Sequence, residues 1–373
     1  MKLVHTIDRI AQGKATRREI GEIAARAGIV SLAIPVVARP AAAQSGDDLM
    51  YFTWGGFESP ELFPDYVEKW GEPSTSFYGD EYEAIEKLRA GFEADVVCPC
   101  IDVMPNWMRV GLQPLDESRL VYLEDTFESI RSPAAAFDKG ERYYTPTYYG
   151  FTSFVYRTDL TEITPETESW GLFFDEAYAG RMAIWDSTDA VVPVAALAAG
   201  ITDNPYTPDG DDLEKVEDLM RKQRDLVRFY WNEQTTALQG ITSGEVVLSY
   251  AWSAAIPPLI ESGIPFKWAQ PREGLISYVC GLARANRQGT DDELVYDFIN
   301  ANSSPEAGAF MIESFALGAA NRNSYGLVDS ETLVRNGLET PEESLAGSHT
   351  YQFVPVDLKQ RHIALFDEIR AGF

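Results

Sequence analysis

The sequence predicts an α/β protein with two lobes, and three observations support this. At about 150 residues per domain, the 373-residue chain has room for two hydrophobic cores. Strand and helix patterns alternate along it, which is typical of parallel βαβ windings. Two long extended runs, at 143–157 and 277–285, lie between such windings with no linker composition around them. Two lobes joined by such strands enclose a cleft, which is where small ligands bind.

Residues 1–43 are expected to be a cleaved export signal. A basic segment with the pair Arg17 and Arg18 precedes an apolar run at 27–38, and alanines at 41–43 form a small-residue cleavage site. The run is shorter than the roughly 20 residues that span a bilayer. The arginine pair favours twin-arginine export, but Gly21 stands where that pattern prefers a bulky apolar residue, so the route stays open. The mature protein is expected to be a soluble periplasmic monomer.

The chain is strongly acidic, with 31 Lys and Arg, 58 Asp and Glu, and a net charge of −27. Such a surface repels phosphate backbones and anionic lipids. Nucleic-acid and membrane-surface binding are therefore disfavoured, whereas a cationic ligand would be attracted.

The first lobe is predicted from three strands that alternate with two helices. Leu62, Tyr66 and Trp70 repeat at a spacing of four, which places them on one helix face. The strands are expected at 49–53, 75–78 and 94–98, and the helices at 61–70 and 80–90.

The aromatic, β-branched run at 143–157, YYTPTYYGFTSFVYR, is expected to leave one lobe and enter the other. The second lobe then repeats the strand and helix alternation, and 277–285 forms a return strand. The remaining strands are expected at 182–187 and 246–252, and the remaining helices at 191–199, 213–230, 291–301, 305–314 and 358–370.

Three cysteines, Cys98, Cys100 and Cys280, occur in a chain expected to reach an oxidising compartment. One pair could form a disulfide and leave an odd thiol. Alternatively, all three could be reduced and buried as small apolar residues. Their spacing does not decide between these states.

Motifs for catalysis are not found in the sequence. After residue 43 the only histidines are His349 and His362, and their neighbours lack metal-ligand spacing. The sequence contains no GxSxG elbow, phosphate loop or GxGxxG turn. We therefore expect no cofactor, no metal and no enzyme activity, with an enzyme on the same fold as the less favoured alternative.

Aromatic residues accumulate where the predicted strands end, and ligands of α/β sheets bind outside the carboxyl ends of strands. Each aromatic could also be a core residue, although two glycines follow Trp54 and give its ring little local packing. The residues at these positions are Trp54, Phe57, Tyr78, Tyr148, Tyr149, Trp185, Trp252 and Tyr278.

Acidic residues share the same loops. A carboxylate beside an aromatic face suits an organic ammonium, because the ring contributes about 0.5–2 kcal/mol and the carboxylate accepts the N–H bonds. Each acid is also a candidate helix cap, Asp80 and Asp186 above all. The acids in these loops are Asp80, Glu81, Asp102, Asp186 and Asp189.

The chain resembles the periplasmic spermidine/putrescine-binding proteins, the solute receptors of polyamine-type ABC importers. The resemblance runs over nearly the whole chain after the signal, through LMYFTWGGFESPELFPDYVEKWG, YEAIEKLRAGFEADVVCP, YYTPTYYGFTSFVYRTDL, SGEVVLSYAWSAA, GIPFKWAQPREG and SPEAGAFMI. It implies a receptor of two discontinuous lobes that captures a small nitrogenous solute and delivers it to a membrane permease. The implied lobes are 44–147 plus 278–318, and 148–277 plus 319–373.

The aromatic residues that surround the ligand in the similar proteins are largely kept in this chain, whereas the acidic residues beside them are not. A family carboxylate two positions after Tyr278 is Cys280 here, and others fall on Ser187 and Ala190 unless a one-residue shift brings Asp189 into place. A buried ammonium left without its carboxylate costs several kcal/mol. A single amine, a quaternary ammonium, an amino-acid-like ligand or an uncharged polar solute is therefore expected to fit better than a polyamine.

Together, the loop positions and the resemblance give one set of candidate ligand contacts. They are Trp54, Phe57, Tyr78, Asp80, Cys100, Tyr149, Asp186, Asp189, Trp252, Tyr278, Cys280 and Gln352.

Overall fold

The computed structural model describes residues 49–372. The predicted export signal at 1–43 lies outside the described residues. Within them, one mixed sheet of 11 strands runs through the molecule, with helices packed on its faces. No helix in this described stretch has the length and apolar run needed to cross a membrane.

The strands are numbered in chain order. They are β1 Met50–Trp54, β2 Ser74–Tyr78, β3 Val96–Val97, β4 Phe137–Asp138, β5 Glu141–Arg142, β6 Thr145–Arg157, β7 Met182–Trp185, β8 Val227–Trp231, β9 Leu248–Trp252, β10 Phe266–Trp268, β11 Ile276–Arg284, β12 Gly318–Ala319 and β13 His349–Thr350.

The α-helices are numbered in the same way, and short 3-10 turns connect several of them. They are α1 Pro64–Trp70, α2 Glu81–Arg89, α3 Met104–Trp107, α4 Glu128–Arg131, α5 Thr188–Ala198, α6 Gly210–Leu226, α7 Gln234–Ser243, α8 Ile256–Ser262, α9 Asp292–Asn302, α10 Pro305–Phe315, α11 Ser330–Asn336, α12 Pro341–Ala346 and α13 Val356–Ala371.

The main sheet has the strand order β2-β1-β3-β11-β6-β9-β7-β8. β1 is parallel to β2 and β3, and we call these three the first strand group. β7 is parallel to β8 and β9, and these form the second strand group. Parallel neighbours end at the same edge, so each group brings three strand carboxyl ends together.

β6 and β11 join the two strand groups. The first part of β6 pairs with β11 from Leu282 to Ile276, and its second part pairs with β9. β11 in turn pairs with β3 at Ala283 and Arg284. The extended runs predicted from the sequence are therefore strands at the centre of the sheet.

Glycine allows β6 and β11 to carry a large side chain between them. Gly150 pairs with Tyr278, and a Cβ at position 150 would lie 2.1 Å from the Tyr278 hydroxyl. Any side chain at position 150 would therefore displace the Tyr278 ring from this place.

The buried apolar residues form three clusters. Two contain residues of the first strand group, on opposite faces, since the neighbours Tyr51 and Phe52 belong to different clusters. The third contains the second strand group together with Phe366 and Ile369 of α13. We call the two clusters around the first strand group the first side and the cluster around the second strand group the second side. Followed along the chain, the core residues belong first to the first side, then to the second, then to the first again, and finally to the second.

One predicted helix is wrong at its end. A helix was expected at 213–230, but α6 ends at Leu226 and 227–231 form β8. Trp231 of β8 pairs with Trp185 of β7. The segment VRFYW has the β-branched and aromatic composition of a strand, and its pairing with β7 overrides the helical pattern before it.

Candidate ligand site

The first strand group ends in two aromatic rings in contact. Trp54 pairs with Tyr78 in the sheet, and their ring centroids are 4.7 Å apart. The Trp54 indole and the Tyr78 hydroxyl both donate to the Cys98 carbonyl, at 3.0 Å and 2.5 Å. Tyr78 is buried, whereas Trp54 stays partly exposed above the turn where Gly56 adopts a positive φ of 97°. Trp54 is thus held in place while keeping accessible surface.

The second strand group ends in three tryptophans, Trp185, Trp231 and Trp252. Trp252 makes edge contacts with Trp185 and Trp231, each at 5.2 Å. Trp185 and Trp252 are partly exposed, and Trp231 is buried. The Trp231 indole nitrogen has no hydrogen-bond partner among residues 49–372. Trp231 was missed from the sequence because β8 was predicted as helix.

Acidic side chains that follow the two strand groups influence each other electrostatically. Asp102 follows β3, and Asp189 lies in the first turn of α5 after β7. Burial raises the pKa of Asp102 to about 7, and the nearby Asp189 carboxylate contributes to the increase. A cation placed beside a carboxyl group in this state favours its ionised form and is attracted to it.

Glu81 lies behind this pair at the start of α2. Its Oε1 accepts hydrogen bonds from the Cys100 amide and the Trp107 indole, both at 2.8 Å. Burial raises the pKa of Glu81 well above its usual range, and Asp102 raises it further. Glu81 is therefore held toward its neutral form and supports the loop that carries Asp102.

Tyr82, the next residue of α2, lies within electrostatic reach of the same acids. The residue is 49% exposed, and partial desolvation of its hydroxyl, together with Asp189 and Asp102, raises the pKa of Tyr82 to about 12. The phenol therefore keeps its proton and remains a hydrogen-bond donor. Tyr82 was not among the candidate contacts chosen from the sequence.

A cation of the protein itself completes the cluster. Lys359 of α13 forms an ion pair with Asp189, and its charge also lowers the pKa of Asp102. Lys359 was not recognised from the sequence, because no local motif connects it to Asp189.

A cavity of about 380 Å³ lies beside Asp102. Its wall includes Val279 of β11 and the segment from Thr350 to Phe353. Gln352, a predicted contact, lines this cavity together with Asp102. The cavity therefore brings Gln352 and Asp102 to a common surface.

Cys100 and Cys280 are joined by a disulfide, and Cys98 is a buried free thiol. This resolves the alternatives that the spacing left open. The bond takes up Cys280, where the resemblance places a carboxylate, so this position offers sulfur instead of a charged oxygen.

Two predicted acids have structural partners. Asp80 is exposed and caps α2, accepting from the Glu83 amide at 3.0 Å. Asp186 forms an ion pair with Arg370. The cap of α5 is Ser187, so the expectation that Asp186 caps this helix is wrong.

Three predicted aromatics pack against neighbours near the crossing strands. Tyr149 is fully buried, and its hydroxyl lies 2.7 Å from that of Tyr325. Phe57 packs between Tyr148 and Phe315, at 5.0 and 5.3 Å. Tyr278 is partly exposed beside Gly150. Their assignment as ligand contacts stays a prediction.

Solved structures with the same fold include several receptors. The spermidine/putrescine ABC transporter substrate-binding protein PotD from Streptococcus pneumoniae, solved with calcium and HEPES, has a TM-score of 0.74 at 16% identity, over 87% of this chain and 99% of its own. The binding protein MotA from A. tumefaciens B6, solved with glucopine, has a TM-score of 0.67 at 18% identity, over 87% and 99%. A structure described as a GABA receptor has a TM-score of 0.66 at 19% identity, over 87% and 97%. At these identities the likeness shows the two-lobed binding-protein fold.

No curated protein matches the chain at a significant level. The family model described as bacterial extracellular solute-binding protein matches residues 82–335. This match covers well over half of the chain and includes nearly all of α2, both crossing strands and the second strand group. The chain belongs to the bacterial extracellular solute-binding proteins.

Proposed function

We propose that this protein captures a small organic amine between two lobes and delivers it to an ABC import permease. The preferred ligand carries one cationic group, and the alternatives on the same receptor are a polyamine, a betaine or an amino-acid-like solute. The single observation that carries the proposal is that Asp102 and Asp189, which follow strands of different groups, interact electrostatically, with Lys359 paired to Asp189.

The chemistry around these acids suits an ammonium group. Partly exposed indoles at Trp54, Trp185 and Trp252 end strands on the two sides, and an ammonium over an indole face gains about 0.5–2 kcal/mol. Asp102 and Asp189 supply the carboxylate oxygens that accept its N–H bonds. The similar receptors named for spermidine and putrescine and for GABA support an amine-bearing ligand.

The lobes that close on this ligand are proposed at 44–147 plus 278–318, and at 148–277 plus 319–373. The core packing favours one change, because Val328, Leu338 and Leu345 belong to a cluster of the first side. Residues 319–346 are therefore better assigned to the first lobe. The return of the chain to the second side at α13 keeps the lobes discontinuous.

We favour a protein that binds its ligand without catalysis. The states of the three cysteines support this. Cys100 and Cys280 are consumed in a disulfide, and burial raises the pKa of the Cys98 thiol to about 12. A nucleophilic cysteine requires a thiolate, so no cysteine is suited to covalent catalysis. We propose a periplasmic monomer as the working form.

Calorimetric titration with putrescine, aminobutanol, betaine and GABA tests this function. Aminobutanol is putrescine with one amino group replaced by a hydroxyl, so the pair differs by one charge. We expect stoichiometric binding of at least one amine, a change in tryptophan fluorescence, and recovery of the ligand unchanged. Failure of every amine to bind, or turnover of a bound amine, would contradict the proposal.

A further inference from the structure

We propose that Lys359 sets the charge of the accepted ligand. Its ammonium takes one of the positions that the acidic cluster offers to a cation, and so restricts the site to ligands with a single positive charge. This inference rests on the proposed amine-binding function and names the residue that would exclude diamines.

The position of Lys359 is defined by the packing of α13. His362, Phe366 and Ile369 form the buried face of this helix, and the two apolar residues belong to the core of the second side. Lys359 lies one turn before His362. Its side chain is only 17% exposed and pairs with Asp189, whose side chain is 39% exposed. The lysine is therefore the inner partner, and the carboxylate remains accessible from outside.

The charges of Asp102, Asp189 and Lys359 together indicate the preferred ligand. Asp102 and Asp189 carry two negative charges when ionised, and Lys359 compensates one of them. Glu81 is held toward its neutral form. Burial, with Lys359 and Arg361 nearby, lowers the pKa of His362 to about 4, so its imidazole adds no charge at neutral pH. One net negative charge remains, which matches one ammonium and leaves the second ammonium of a diamine unpaired.

An ion pair that only anchors α13 would look similar, and the same helix provides the control. Arg370 pairs with Asp186 and with Asp367, the latter at 2.6 Å. The Arg370–Asp186 pair also ties α13 to the end of β7, but Arg370 is not among the charges that shift the pKa of Asp102. Loss of Arg370 should therefore weaken the attachment of the helix without changing the charge seen by a ligand.

The experiment compares three variants by calorimetric titration with putrescine and aminobutanol. Lys359→Gln removes the charge at similar length, Lys359→Arg keeps it, and Arg370→Gln removes the other anchor. We expect Lys359→Gln to shift the affinity ratio toward putrescine by at least about tenfold, since the variant no longer repels the second ammonium of a diamine. Lys359→Arg and Arg370→Gln should keep the wild-type ratio.

The outcomes separate the two proposals. If aminobutanol binds the wild type and Lys359→Gln leaves the ratio unchanged, the role of Lys359 is wrong while amine binding stands. An equal shift in Arg370→Gln would likewise assign the effect to helix anchoring. If neither ligand nor any other amine binds the wild type or the variants, the proposed function itself fails. Thermal unfolding of each variant establishes that it is folded.

Discussion

Cys100 and Cys280 are linked by a disulfide although 180 residues separate them in the sequence. The bond joins the segment after β3 to the crossing strand β11, where the two residues also form an antiparallel bridge. It therefore ties the loop that carries Asp102 to the centre of the sheet.

The disulfide should contribute substantially to stability. Replacing both cysteines with serine is expected to lower the free energy of unfolding by about 2–5 kcal/mol, because the bond restricts a long loop in the unfolded chain. Urea unfolding with and without a thiol reductant measures this. Reductant should destabilise the wild type and leave the double variant unchanged. Equal responses of the two proteins would contradict a disulfide in the native protein.

Binding of a cationic ligand should strengthen as the pH rises through 7. Asp102 has a pKa of about 7 in the free protein, and a bound ammonium favours its ionised form. Binding at lower pH must therefore release a proton, and this cost disappears above pH 7. Titrations between pH 6 and 8 in buffers of different ionisation enthalpy detect both effects. Asp102→Asn should remove the pH dependence, and a flat profile in the wild type would refute the role of Asp102.

His362 should make the protein less stable in acid. Its folded pKa of about 4 lies below the usual value of 6.5, so the unfolded chain binds the proton first. The stability is complete above pH 6.5 and decreases as the pH falls toward 4. At about 1.4 kcal/mol per pH unit, the loss between pH 7 and 5 is about 2 kcal/mol.

Urea unfolding of the wild type and of His362→Gln at both pH values checks this prediction. Asp102 shifts stability in the opposite direction over the same range, since its raised pKa favours the folded state at low pH. The difference between the two proteins isolates the imidazole. An identical pH response in both would show that His362 is not the group responsible.

The tryptophans at the strand ends should serve binding more than folding. Trp54→Ala and Trp252→Ala are each expected to weaken amine binding by about 1–3 kcal/mol, the scale for losing a well-packed aromatic contact. Trp70→Ala is the matched control, because Trp70 is 42% exposed on α1 and bonds Asp297. A loss of stability without ligand on the scale of a core truncation, about 3–5 kcal/mol, would identify Trp54 or Trp252 as core residues.

The sequence by itself determined the local elements of the fold. β1, α1, β2 and α2 follow from short-range patterns, because strand alternation, helical spacing and the Asp80 cap act between residues close in the chain. The two crossing strands were predicted for the same reason, since their length and aromatic, β-branched composition favour extended structure. Aromatic residues at strand ends could likewise be listed from the sequence.

Only the tertiary structure decided which of these residues act together. β8 became a strand through pairing with β7, and Trp231 thereby joined the tryptophan cluster. Lys359 reaches Asp189 across 170 residues, and Cys280 reaches Cys100 across 180. Charges and thiols have no periodicity that identifies a distant partner, because their pairing depends on where packing brings two parts of the chain together. The charge of the candidate site is therefore a property of the fold.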